Sequence, residues 1–226
     1  MKGEKMRAIS RKINSWIYYE KARPKTPYSA DPSAHEEFRR MNDLDCILTN
    51  GDLRADTIFS LWIPLRFALV RLNGYGKLNR YGNINDKASF LSAISDDIIL
   101  RFLLPEDNET VILLERLFEL GQERCNVMIL RDRGMQSRGL APYYDYMPHF
   151  LNDCFVGAFS RYFRGNDDLK QWIDEQRLNM FFAGEAAREN ILDLSGSGDI
   201  KNGVPEDLGF MLKNYISILE ERKKLL

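Results

Sequence analysis

The sequence predicts a mainly α protein, a single globular domain over residues 1–226 with about eight helices and room for one short strand pair. Apolar residues recur at three- and four-residue steps in most segments. The strand–helix alternation that builds a doubly wound sheet is missing. A composition of 44% hydrophobic and 12% aromatic residues supplies a sizeable core. No internal repeat occurs.

Met6, Ile9, Ile13, Trp16 and Ile17 predict a basic amphipathic helix over about 5–21, which ends at Pro24 and Pro27. Asp31-Pro32 or Ser33 with Glu36 marks the next helix start. Thr49-Asn50-Gly51-Asp52 is a turn. Ile58, Phe59, Trp62, Leu65, Phe67, Leu69 and Leu72 then suggest a buried helix bent at Pro64. A glycine–tyrosine loop fills 73–85. Asp86 caps a helix that ends at Pro105, and a further helix runs from Asn108 to Leu120 with Gly121 as its stop.

Val127-Met128-Ile129-Leu130 is the best strand candidate. It leads into Arg131-Asp132-Arg133-Gly134-Met135-Gln136-Ser137-Arg138-Gly139. The clearest amphipathic helix follows, its apolar face running from Met147 through Phe150, Leu151, Cys154, Phe155 and Phe159 to Phe163. Asp167 caps another helix, carrying Leu169, Trp172, Ile173 and Phe181. A shorter one is expected near Ala186–Leu194, and Ser195-Gly196-Ser197-Gly198 reads as a flexible loop. Leu208, Met211, Leu212, Tyr215, Ile218 and Leu219 define the last helix.

Composition excludes several classes. The net charge of −1 is not that of a protein coating nucleic acid indiscriminately. Three scattered cysteines, two histidines and no CxxC speak against a zinc site and for reduced thiols in a cytoplasm. No secretory signal opens the chain, and the most apolar window, Ile58–Leu72, is too short and too interrupted to span a membrane. Gly74-Tyr75-Gly76 lacks the third glycine of a dinucleotide fingerprint, and no P-loop, GxSxG or HExxH occurs. Neither a cofactor nor a metal is expected.

The arginine-rich loop is the strongest chemical signal. Guanidinium groups match phosphate and carboxylate because they donate in a planar fork and stay charged. Glycine lets backbone N–H groups approach an oxyanion. Arg131, Arg133, Gln136 and Arg138 form the candidate site, joined by Asp153, Arg161 and Arg164 if the next helix turns its polar edge toward the loop. Pairing of Arg131 and Arg133 with acidic side chains of neighbouring helices is the plainer alternative.

Residues 1–25 hold eight basic against two acidic residues, an excess of +6 that suits an anionic partner or a solvated helix face equally. Tyr75 and Tyr81 could stack on a base or simply anchor their loop. Asp52 and Asp56, four apart, could share a helix face and hold a divalent ion, or be a capping aspartate followed by an exposed one.

Two blocks resemble a family of uncharacterised bacterial proteins found mainly in Gram-positive genomes. One comprises Asp31-Pro32, Phe38-Arg39-Arg40 and Leu48-Thr49-Asn50-Gly51-Asp52-Leu53. The other comprises Arg131-Asp132-Arg133, Gln136-Ser137-Arg138-Gly139, Phe150-Leu151-Asn152-Asp153-Cys154 and Arg161-Tyr162-Phe163. The resemblance spans about two thirds of the chain by order of blocks. It implies a polar loop at the arginine–glutamine–arginine–glycine segment and carries no activity with it.

The expected function is therefore a non-enzymatic helical binding module for an anionic partner: a nucleotide, a nucleic acid or an acidic protein surface. One alternative is a metal-assisted phosphoesterase or nuclease using Asp52, Asp56 or Asp153. The other is a structural or interaction protein working through an apolar groove or a homodimer face, supplied by the many aromatics and the last helix, Leu208 to Leu219.

Overall fold

A computed structural model describes residues 55–59, 108–121, 123–136, 146–200 and 207–226. The readings of the basic N-terminal segment, the glycine–tyrosine loop and the helices expected between them lie outside the described residues. Within them the chain is mainly α: strand β1 (Ala55–Thr57), helix α1 (Asn108–Gly121), strand β2 (Val127–Ile129), and helices α2 (Met147–Val156), α3 (Asn166–Glu175) and α4 (Leu208–Leu225). Four α-helices are thus present among the described residues, where about eight were expected over the whole chain.

The strand expected at residue 127 exists, and its partner is a surprise. β2 pairs antiparallel with β1, with Asp56 opposite Met128. Ile58 and Phe59 therefore follow a strand and do not begin a helix. Asn126 extends the pairing with its side chain. Its amide oxygen accepts the Phe59 N–H at 2.8 Å, while its nitrogen donates to Phe59 O and Gly121 O at 2.9 and 3.2 Å. A buried amide so bonded meets the backbone needs of the segment it touches.

α1 and α4 lie side by side and run in the same direction. Glu109 pairs with Lys213 at 2.6 Å, and Arg116 with Glu220 at 2.9 Å, so seven residues on one helix match seven on the other. Lys223 continues the series to Glu123 just beyond α1. Exposed ion pairs of this kind contribute little energy but fix direction. The adhesion comes from the stripe Leu208, Met211, Leu212, Tyr215, Ile218 and Leu219, all buried in one continuous core cluster with Leu117 and Leu120. The apolar face expected to serve a homodimer is consumed inside the chain.

The strongest sequence helix is shorter than its apolar face suggests. α2 stops at Val156, and Arg161 lies in a separate 3-10 turn, Ser160–Tyr162. The cause is local. Gly157 N–H and Phe159 N–H both donate to Asp153 O, at 3.0 and 3.1 Å, which reverses the chain. A side chain on Gly157 would collide with Asp153, so only glycine fits this close return. The reversal brings Phe159 against Phe150, with ring centroids 5.3 Å apart. Phe163 instead reaches Trp172 of α3, at 5.6 Å. Phe181, expected on the helix begun near Asp167, sits in its own 3-10 turn, Asn179–Phe181, because α3 ends at Glu175. The short helix expected near Ala186 is one 3-10 turn, Arg188–Asn190.

One charged side chain lies at the centre. Arg222 of α4 is 1% exposed, and none of its hydrogen bonds reaches a carboxylate. Its guanidinium donates to Gln176 O (3.0 and 2.8 Å), Val127 O (2.8 Å) and Cys125 O, with a longer approach to Arg124 O. Burial, and secondarily the nearby Arg124, pulls its pKa down to about 10, which leaves it charged at neutral pH. Replacing Arg222 by Met leaves the buried Cys125 carbonyl and the half-buried Gln176 carbonyl without this donor, while Val127 O keeps the Arg124 guanidinium. At about 1–3 kcal/mol each, the loss should be roughly 3–5 kcal/mol. Urea unfolding of Arg222→Met measures it, and a loss under about 0.5 kcal/mol would contradict this packing.

Candidate functional site

The arginine loop leaves β2 at Leu130 and closes into a 3-10 turn, Arg133–Gln136. Met135 pins that turn from beneath by complete burial, and Asp132 shapes it by accepting the Gly134 N–H at 2.7 Å. Gly134 is where the loop meets the rest of the site. The Tyr162 hydroxyl lies so close that any side chain on Gly134 would displace it. The Ser160–Tyr162 turn is therefore seated on the arginine loop. Arg161 donates to the Tyr162 hydroxyl at 2.9 Å, its guanidinium carbon 4.9 Å from that ring's centre.

The start of α3 completes the cluster. Gly165, at φ +147°, turns the chain into the helix, a conformation that favours glycine. Asp168 then stands in the first turn, where the helix dipole favours a carboxylate. One of its oxygens takes the Arg131 guanidinium at 2.5 Å, and the other accepts the Arg164 backbone N–H at 3.0 Å. Arg131, Arg161 and Arg164 are all exposed; Asp168 links the Arg131 guanidinium to the Arg164 backbone, and Arg161 rests on the Tyr162 that abuts Gly134.

The sequence reading is corrected in three places. Arg161 and Arg164 do not extend the polar edge of the helix that holds Asp153, since α2 ends before them. Asp153 faces His149 one turn earlier, with Oδ2 3.6 Å from Nε2, and the acceptor on Arg131 is Asp168. Asp56 sits in β1 and accepts its neighbour's N–H from Thr57 at 2.8 Å, so it shares no helix face with Asp52. Asp52 itself, the side chains of Arg133 and Gln136, and Arg138 lie outside the described residues. Among the described residues, no three His, Cys, Asp or Glu side chains gather closely enough to hold a metal. No described helix is long and apolar enough to cross a membrane.

A second polar centre escaped the sequence reading. Residues 195–198, expected to be a flexible loop, are tied to Asp193. Its carboxylate accepts from Ser195 N–H (3.0 Å), Ser195 Oγ–H (2.6 Å), Gly198 N–H (2.7 Å) and the buried Tyr146 hydroxyl (3.1 Å). The alternation Asp193-Leu194-Ser195-Gly196-Ser197 is the signal that could have revealed it. Burial alone would raise the Asp193 pKa, but the bonds from Ser195, Gly198 and Tyr146 outweigh it and hold the carboxyl below its ordinary value near 3.8. Burial drives the Tyr146 hydroxyl the other way, keeping it protonated as a donor.

Comparison with family models, with curated proteins and with solved structures returned no match in any of the three. The site therefore speaks only through its own geometry.

Two predictions follow from these two centres. Arg131→Ala should cost no more than about 1 kcal/mol, because the pair with Asp168 is half exposed. The Asp193 carboxyl is more acidic folded than unfolded, so its contribution is complete above the unfolded value and fades as pH falls through the folded one. Asp193→Asn should therefore lose stability at neutral pH, by roughly 1–3 kcal/mol. Its curve should also be flatter than wild type's below about pH 4. Melting temperatures at neutral and acid pH decide, and parallel curves would contradict the assignment.

Proposed function

We propose that this chain is a non-enzymatic helical binding module for a phosphate-bearing ligand, a nucleotide or a nucleic-acid phosphate. The receiving surface comprises Arg131, Arg161 and Arg164, with Arg133, Gln136 and Arg138 of the same loop. The observations that support this reading are three exposed arginines on segments joined by the Gly134–Tyr162 contact and by the Asp168 bridge from Arg131 to the Arg164 backbone. Guanidinium groups match an oxyanion because they donate in a planar fork and stay charged. Arg161, held beside the Tyr162 ring, also offers a flat edge against which a base can stack. We place the module in the cytoplasm, where nucleotides and RNA are at hand and its cysteines stay reduced.

Fluorescence polarisation with labelled RNA, DNA and nucleotides at two salt concentrations tests the reading. The wild type should bind more weakly at high salt. Arg131→Ala/Arg161→Ala/Arg164→Ala should bind at least about tenfold more weakly, with the salt slope reduced by roughly two to three. Equal binding by both proteins, or none by the wild type, would contradict it.

A further inference from the structure

This inference rests on the anion-binding reading above and narrows its ligand. We propose that Asp168 is a built-in competitor for the anion site, so that the site selects a phosphate monoester, with its two charges, over singly charged carboxylates and phosphodiesters.

The geometry carries the argument. Asp168 is attached to the site by the chain, and its side chain is only 17% exposed. It engages a guanidinium with one oxygen and a backbone N–H ahead of a helix with the other, at 2.5 and 3.0 Å. That donor set also suits an external oxyanion. A tethered carboxylate acts at high effective concentration, so a free carboxylate of the same charge has no means of displacing it. A phosphodiester also brings one charge. A phosphate monoester carries about −1.5 to −2 at neutral pH with three acceptor oxygens. It can take the Arg131 fork and the Arg164 N–H while Arg161 and the Arg164 side chain meet its remaining charge. Asp167, the preceding residue, provides an internal control. It is exposed, shares the same helix start and takes no part in the Asp168 bonds.

The same surface can take such a group from a free nucleotide or from the end of a nucleic-acid strand, and the experiment separates the two. The probes are a 3′-labelled single-stranded RNA with a 5′-phosphate, the same RNA with a 5′-hydroxyl, and AMP as competitor. Wild type should prefer the 5′-phosphorylated RNA by roughly tenfold. AMP should displace it if the source is a free nucleotide, and fail to if strand contacts are needed as well. Asp168→Asn should bind the 5′-hydroxyl RNA at least about fivefold more tightly than wild type does, shrinking the preference. Asp167→Asn, which removes the same charge, should change either affinity by less than about twofold.

A gain with Asp167→Asn equal to that with Asp168→Asn would reduce the effect to general electrostatics and overturn the proposal. So would binding of Asp168→Asn at or below the wild-type level, or a wild type indifferent to the 5′-phosphate. This last arm needs no variant to fold. Wild type that binds neither RNA nor AMP defeats the anion-binding reading itself; wild type that binds without these differences defeats only the role of Asp168.

Discussion

Three segments of this protein are joined by one buried cation. Arg222 arrives on α4, reaches through the core and donates to the carbonyls of Cys125, Val127 and Gln176. Those carbonyls belong to the turn before β2, to β2 itself and to the end of α3. Val127 O keeps a second donor in the Arg124 guanidinium at 3.1 Å, whereas the buried Cys125 O and the half-buried Gln176 O depend on Arg222. A carboxylate partner would satisfy Arg222 alone, whereas the carbonyls make it a joint between three segments. Keeping the charge buried is costly, and only the full set of acceptors offsets that cost.

From this joint the constraints run outward to the surface. Gln176, whose carbonyl Arg222 holds, turns its side-chain oxygen to the Ile129 N–H at 2.7 Å, while Trp172 donates its indole N–H to Ile129 O at 2.9 Å. Two side chains of the α3 region thus cover the free edge of β2 and set where the arginine loop begins. The same helix carries Asp168 at its other end. The distance between Arg131 and Asp168 is therefore fixed by the core, through β2 on one side and α3 on the other. Rigid elements below thus hold the Arg131–Asp168 bridge in place above.

Parts of this were legible in the sequence because they depend on local patterns. The Asn108–Gly121 helix, the strand at Val127 and the buried face of the last helix follow from periodicity and stop signals. Other parts depend on tertiary partners. β1 is three residues long, and its partner lies some seventy positions away, a pairing no local window can show. Gly157 sits within an unbroken apolar stripe, so its break is visible only once Asp153 folds over it. Arg131 and Arg161 stood out because arginine and glycine cluster there, yet Asp168 was passed over as an ordinary residue of a helix start. Arg222 did leave a trace. It occupies the next place in the stripe Met211, Tyr215, Ile218, a position where an apolar residue is expected and a charge must find partners.

The central claim, that the Arg222 guanidinium is locked in the core by backbone carbonyls, is tested most directly by hydrogen exchange at its own Nε–H. In a nitrogen-15 spectrum of arginine side chains, that proton should persist and exchange only as fast as the protein unfolds globally, while the exposed Arg164 Nε–H exchanges within the dead time. Exchange of the Arg222 proton at the rate of Arg164 would contradict the account.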